Sequence, residues 1–433
     1  MYLAFRPLGR WAFKMWHRVE IQGVRHLTDT KRRKQRPARI LYSGHQNALA
    51  DPVFACVSLS RQMHYFTRAD VFANPLARAI LLRINMMPIF RPVDRAPQMV
   101  ERNHDTFAAA YDRLEAGASL GIFPEAGHLD ERRTRRFRHG SARLILGAMC
   151  RPSLQQRGLE VQPVVMDFER YEGYRTTARL RIGAPLDLTT FWATAEDNGG
   201  QRIALSQTMR SALCALSVEL NEGPLYDAHL ALCRYLEGYN NCVPNPHVLA
   251  HLEGRLKAEE QAVLMGFQAL LKDGMPHPRH ADTFTALGRL HANGTTPWSS
   301  EVWRWPAWIV FKLTTGWWPI LIEKRMAELV KDPAYRTTFG IPLLLFCVST
   351  TWGLLALTVA CLTHNLAVGL FTILMLRLSQ ALAMPYEDRR LDRRNDRVAQ
   401  PYSAHPWVVK WCHLRAAEAA QRQRKGDSLG DGE

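Results

Sequence analysis

ILYSGHQNALADP, residues 40–52, carries the chain out of one kind of local structure and into another. The apolar run from Ile40 to Ser43 reads as a buried strand. Asp51-Pro52 reads as the opening of a helix, because proline has the fixed φ of a first helical turn and an acidic side chain suits a helix N-terminus. His45 falls between them, at the strand's end. Strand, short polar loop and helix in immediate succession is the repeating step of an α/β domain.

The same step recurs on either side. Met63 to Thr67, Ser119 to Phe123 and Val161 to Met166 read as further strands. Gln98 to Glu115 reads as a helix with Phe107, Tyr111 and Leu114 on one face. The expected fold class is therefore α/β: a mixed sheet with flanking helices, followed by a helical region and a C-terminal transmembrane helical hairpin. Residues 187–300 read as mostly helical, with Gly199-Gly200 marking a loop within them.

The C-terminal part differs in composition. Ile341 to Leu362 is uncharged and long enough to cross a bilayer once. Thr363-His364-Asn365 is a polar break before a second apolar stretch, Leu366 to Met384, which contains Arg377 and Gln380. Lys324, Arg325, Lys331 and Arg336 precede the pair, and Arg389, Arg390, Arg393, Arg394 and Arg397 follow it. Basic flanks on both sides predict a hairpin with both ends in the cytoplasm, and so a membrane protein whose catalytic domain faces the cytoplasm (an inner membrane in a bacterium). A soluble helical hairpin is the competing reading. Trp303 to Ile322 is aromatic-rich, is interrupted by Lys312 and Pro319, and reads as interfacial.

At the other end, Arg6, Arg10, Lys14 and Arg18 recur among Tyr2, Phe5, Trp11, Phe13 and Trp16. That pattern predicts a helix in the headgroup layer of an anionic bilayer, against the plainer reading of a helix that caps a soluble core. No uninterrupted apolar core or cleavage site marks a signal peptide. The expected organisation is an interfacial amphipathic helix at 1–20, the α/β domain at 21–190 and a helical region of unassigned role at 191–300. An interfacial segment at 301–337, a hairpin at 338–385 and a basic cytoplasmic tail at 386–433 follow.

Lys and Arg exceed Asp and Glu by 56 to 40, a net charge of +16. Anionic partners are expected: acidic lipids, phosphorylated substrates or nucleic acid. Nucleic acid is set aside, because the arginine run after residue 130 lacks interleaved aromatics and a recognisable module. The eight cysteines occur singly, without a CxxC pair, so neither a zinc ribbon nor a redox dithiol is expected. His247 and His251 stand i,i+4, with His277, His280 and His291 beyond. They lack a third ligand identifiable by spacing and read as surface histidines; no metal is expected. Ser43 and Ser141 lack a nucleophile-elbow context.

Four segments can carry chemistry. In SGHQNALADP, 43–52, Asp51 can accept a hydrogen bond from the His45 ring and so make a base–orienter pair, and it can equally be a helix N-cap. MMPIFRPVDR, 86–95, delivers Arg91 and Arg95, whose forked guanidinium groups suit phosphate. In SLGIFPEAGHLDERRTRRFRHGSARL, 119–144, a strand, Glu125, Gly127 and an arginine run resemble an anion-receiving loop. VQPVVMDF, 161–168, places Pro163 and Val164 on a strand that suits an acyl-pocket wall as well as a plain core.

These segments together resemble the four blocks of the lysophospholipid acyltransferase family, the glycerolipid acyltransferases with a His-x4-Asp signature. SGHQNALADP, PIFRP, IFPEAG and QPVVM stand in the family's order and at its usual separations over residues 1–190. The resemblance implies that His45 is the general base, Asp51 its partner, and Arg91, Glu125 and Gly127 the binders of an acceptor phosphate. It implies transfer from an acyl-CoA or acyl-ACP co-substrate to a lysolipid, with lysophosphatidate first, then glycerol 3-phosphate or another lysophospholipid, and no bound cofactor. The partners implied are anionic membrane lipids, the thioester donor and the lysolipid acceptor. A different class, a catalytically retired lipid-binding protein, stays open, as does a hydrolase or transacylase. Two departures bear on this: five residues rather than four separate His45 from Asp51, and Ala126 stands where the third block has glycine. On a continuous helix the longer spacing would turn Asp51 away from His45.

Overall fold

The computed structural model describes residues 2–27, 36–90, 98–125, 127, 131–193, 198–220, 222–240, 257–278, 281–297 and 301–409. Contacts divide the chain into two compact units, Met1–Glu219 with Trp318–Cys347 and Leu220–Trp317 with Val348–Glu433.

The first unit holds the sheet. Its strands are β1 (Arg18–Gln22), β2 (Ala38–Tyr42), β3 (Met63–Arg68), β4 (Met86–Ile89), β5 (Ser119–Ile122), β6 (Leu159–Phe168) and β7 (Thr177–Ile182), in the order β1-β7-β6-β2-β5-β3-β4. Pairing is parallel except between β6 and β7, so the sheet is mixed as expected. β7 lies outside the apolar runs because charges occupy buried positions in it, and β1 because its five residues are only half-buried or exposed. Arg179 and Arg181 are buried, Arg179 pairing with Glu20 at 2.8 Å and Arg181 approaching Asp167 at 4.0 Å. A hydropathy pattern cannot register a strand whose inward residues are arginines compensated from elsewhere.

Helices cover both faces. Ile40, Tyr42, Leu120, Val161 and Val165 share one core with Leu114 of α4 (Met99–Glu115), Ile145 of α5 (His139–Met149), Leu154 of α6 (Pro152–Arg157) and Met209 of α8 (Gly199–Leu216). The other face takes α1 (Tyr2–Trp16) and α2 (Ala50–Ser58), where Phe13 stacks on Phe54 at 4.7 Å and both meet Phe168. On that face Gly121 leaves room for the Tyr65 ring, which would lie 2.0 Å from a Cβ there.

Two expectations are corrected here. Phe13 and Trp16 of the N-terminal helix are 0% and 1% exposed, so these aromatics serve the core and not a headgroup layer; Pro7, Leu8, Arg10 and Lys14 face outward. Gly199-Gly200 opens α8 and does not mark a loop, because the Asn198 side chain caps the helix by accepting from Gln201 N at 2.9 Å. The short helix α7 (Thr189–Ala193) precedes it.

The second unit is helical. α9 (Tyr226–Asn240), α10 (Lys257–Lys272) and α11 (Thr283–Asn293) share a core of Tyr235, Phe267, Phe284 and Leu287, closed by Ala399 and Val408. α12 (Trp305–Thr314) belongs to this unit, and α13 (Trp318–Leu329) to the first. In the second unit the Glu387 carboxylate is fully buried and accepts from Trp308 Nε1 at 2.6 Å and Lys312 Nζ at 2.8 Å.

α14 (Pro333–Thr363) and α15 (Leu366–Ala399) flank the polar break. Asn365 caps α15 by accepting from Ala367 N at 2.9 Å. The helical stretches Tyr335–Thr363 and Leu366–Tyr402 are long and apolar enough to cross a membrane. Phe346, Leu354, Leu357 and Phe371 on them are more than half exposed. Gly369 brings the pair together, since a Cβ there would lie 2.7 Å from Ala356 O and from Ala360 Cβ. α15 runs past the expected end of the hairpin, its charged half continuing as helix to Ala399.

Candidate active site

Parallel strands release their side chains and loops at their carboxyl ends, where ligand sites of such sheets gather. β2 and β5 are neighbours, so the loop after Tyr42 and the loop after Ile122 emerge side by side. Ser43 N donates to Ile122 O at 3.1 Å and extends the ladder by one step.

The loop then turns around a carboxylate. Asp51 is fully buried, and its Oδ2 accepts from His45 Nδ1 at 2.8 Å, from Gln46 N at 2.9 Å and from Asn47 N at 2.9 Å. The extra residue is absorbed before the helix: His45 to Leu49 are outside α2, and Ala48 takes φ +35°. That conformation costs energy for a residue with a Cβ, and the three hydrogen bonds to Asp51 offset it. Asp51 is not an N-cap. It stands inside the first turn and folds back over the residues that precede the helix. Because a carboxylate only accepts, His45 carries its proton on Nδ1 and presents the lone pair of Nε2.

The ring is held from below as well. His45 stacks on Phe123 with centroids 4.3 Å apart, and Tyr65 stacks on Phe123 at 5.6 Å. Next to them Leu41, Ala55, Tyr65, Phe123, Val164 and Met166 line a small apolar space. Of the two residues expected on an acyl wall, Val164 lines this space. Pro163 is buried on the opposite side of the strand, since consecutive residues alternate faces.

Glu125 approaches His45 from the end of β5. Its carboxylate is 7% exposed and accepts from the backbone N–H of His45, from Arg135 N at 3.2 Å and from Arg135 Nε at 3.4 Å. Burial pushes its pKa up, and the Arg135 charge with these hydrogen bonds opposes that. Gly44 is the residue that fits beside it, a Cβ there meeting Glu125 Oε1 at 3.3 Å. The carbonyl of Gly127 accepts from the Arg135 guanidinium. Arg135 thus ties together the two block-three residues expected to act.

Arg135 was not separable from its neighbours by sequence, since the run ERRTRRFR offers five arginines. The structure sorts them. Arg132 is buried on Asp167 at 3.0 Å and is structural. Thr134 N donates to Glu219 Oε2 at 2.7 Å, and Arg210 Nη2 donates to Thr134 O at 3.0 Å. Helix α8 and its end therefore brace the segment that carries Arg135. Only the fold brings Glu219 here, and no local pattern signals it.

Arg91 and Arg95 lie outside the described residues, as do Ala126, His128, His247, His251 and His280. Of the remaining histidines named above, His277 pairs with Asp227 at 3.3 Å, and His291 meets Tyr235 Oη and Ser403 O, each at 3.1 Å. Among the described residues no group of three or more His, Cys, Asp or Glu side chains is placed to hold a metal.

Residues 19–167 match the family model described as Acyltransferase. The chain carries an acyltransferase domain. The matched stretch runs from β1 to the end of β6 and contains His45, Asp51, Arg91, Glu125, Gly127, Pro163 and Val164. It excludes α8, Arg210 and Glu219, so the candidate site draws part of its support from outside the matched region. No curated protein matches the chain in sequence. Among solved structures the chain is similar to the 1-acyl-sn-glycerophosphate (LPA) acyltransferase PlsC from Thermotoga maritima, at 15% identity and a TM-score of 0.34. That similarity covers 49% of this chain and 78% of the other.

Proposed function

We propose that this acyltransferase moves a fatty acyl group from the thioester of acyl-CoA or acyl-ACP to the hydroxyl of lysophosphatidate at a membrane. The observation that carries the reading is the 2.8 Å contact between His45 Nδ1 and Asp51 Oδ2, which leaves Nε2 as the basic nitrogen at the end of a sheet. Nε2 takes the proton of the acceptor hydroxyl as its oxygen attacks the thioester carbonyl. Asp51 stabilises the imidazolium that forms. The tetrahedral intermediate collapses, the carbon–sulfur bond breaks, and the proton passes from Nε2 to the departing thiolate. No acyl-enzyme is needed, because a thiol is already a good leaving group.

Arg91 is assigned to the acceptor phosphate, on the strength of its place in PIFRP and the preference of guanidinium for phosphate. Glu125 and Gly127 act by holding the Arg135 loop. Val164 belongs to the wall that receives the first carbons of the acyl chain. Glycerol 3-phosphate and other lysophospholipids are the next acceptors, and the assembled His45–Asp51 pair argues against a retired, purely lipid-binding scaffold. The two apolar helices, the +16 charge and the basic flanks support attachment to an anionic membrane with the sheet unit on its cytoplasmic face.

The deciding assay supplies labelled acyl-CoA or acyl-ACP to the purified full-length protein with a panel of acceptors. Labelled phosphatidate from lysophosphatidate is the expected product. Release of free fatty acid with no acceptor product would replace this reading by a hydrolase. In the same assay Arg91→Ala is expected to raise the acceptor KM about tenfold or more, with the donor KM nearly unchanged.

A further inference from the structure

We propose that the first turns of α14 are a positioning element for the His45 loop, acting through Tyr171; the inference rests on His45 being the reacting base. Thr337, on the second turn of α14, is fully buried and its hydroxyl donates to the Tyr171 carbonyl. The same carbonyl accepts from Asn47 Nδ2 at 3.4 Å, and the Tyr171 hydroxyl donates to Gln46 Oε1 at 3.5 Å. Gln46 and Asn47 are the two residues whose backbone N–H groups hold Asp51 Oδ2 beside His45. Every step from α14 to the reacting pair is thus a hydrogen bond within the first unit.

Two further contacts set the register of α14 against this loop. Arg336 Nη1 lies 3.6 Å from Glu172 Oε1, both side chains less than a fifth exposed. Gly340 sits on the Trp16 ring, where a Cβ would come within 3.0 Å, and Trp16 meets Tyr174 edge-on at 6.2 Å. α14 then continues to Thr363 as a helix long and apolar enough to cross a membrane. Within the first unit, Thr337 links the first turns of α14 to the reacting pair.

Thr337→Val removes the hydroxyl and keeps the shape. In full-length protein it is expected to lower kcat about fivefold, the effect of one lost hydrogen bond, with both KM values within about twofold. Thr337→Ser should restore kcat. Hydrogen exchange reads the loop without any turnover. Peptides covering residues 44–50 should exchange about fivefold faster in Thr337→Val, and not in Thr337→Ser, while α5 exchanges as in the unaltered protein. Wild-type exchange over 44–50 in the valine variant would overturn the proposal. So would acceleration spread equally over α5 and β6, which would make Thr337 a residue of general stability. If the unaltered protein transfers no acyl group to any acceptor, the functional reading falls, and the exchange result still decides the connection.

Discussion

Asp51 and Glu125 approach the same histidine from two loops, and the loops are built on different scales. Asp51 finds all its donors within six positions: the ring of His45 and the amides of Gln46 and Asn47. Glu125 depends on distant parts of the chain: Arg135 ten positions on, and behind Arg135 the helix α8 with Arg210 and Glu219. The first loop fixes the ring of His45, the second its backbone, where the His45 N–H donates to Glu125. Local closure gives a stiff element that chemistry can rest on. Distributed closure gives a loop whose geometry is set by packing elsewhere in the domain.

The largest expected effect separates ring from backbone. His45→Ala keeps the N–H that Glu125 accepts and removes the proposed base, so kcat should fall about 10²–10⁴-fold while the melting temperature stays close to that of the unaltered protein. A variant that unfolds instead would show that the ring holds the loop together, and the two scales would merge. Asp51→Ala breaks the local loop itself. It should lose activity by about 10²-fold, and it should also lose stability, because two buried N–H groups are left without an acceptor at about 1–3 kcal/mol each. Activity loss without a fall in melting temperature would contradict the three-donor arrangement.

The distributed loop should be weaker at each link. Arg135→Ala is expected to cost about tenfold in kcat/KM, Arg135→Lys less, and Glu219→Gln about fivefold. The pH dependence of stability sharpens this. Burial raises the folded-state pKa of Glu125 above its ordinary value of 4.5, so its contribution is fully present below pH 4.5 and is lost as pH rises through the folded pKa. Arg135 holds that pKa down; without it the loss extends to higher pH. The melting-temperature gap between Arg135→Ala and the unaltered protein should therefore widen from pH 4.5 upward, and Glu125→Gln should abolish the widening. A gap independent of pH would mean that Arg135 does not act through Glu125.

The smallest effect concerns the helical pair. Full-length protein should stay with membranes in high salt and in carbonate, whereas screening at about 1 M salt, where the Debye length is about 3 Å, should release a protein held by its basic surface alone. Leu357→Arg, on an exposed apolar position, should move part of the protein into the carbonate-soluble pool, since a central arginine costs about 2.5–3.5 kcal/mol of insertion. Complete release of the unaltered protein by salt would make α14 and α15 a soluble helix pair.

Four of the strands and the long helix α4 were legible as apolar runs and helical periodicity, because their inward positions are apolar and their environment repeats locally. β7 was not, because Arg179 and Arg181 occupy buried positions and are compensated by Glu20 and Asp167 from other strands, and β1 was not, because it has no buried apolar row. The N-terminal helix was legible as a helix but not in its partner. Aromatics spaced for a membrane surface are spaced equally well for a core, and Phe13 and Trp16 took the core.

From the sequence alone came a strand that ends in His45, a carboxylate nearby at Asp51, a glutamate at the end of a second strand, and two stretches long enough to cross a bilayer. These are properties of neighbouring residues and of composition, and they survive without knowledge of the fold. The tertiary structure decided which way Asp51 points, which of five arginines meets Glu125, and that Glu219, Tyr171 and Thr337 support the site at all. The reason is physical: a hydrogen bond depends on distance and direction in space, and a left-handed Ala48 or a packed helix can bring together groups that no spacing rule would pair.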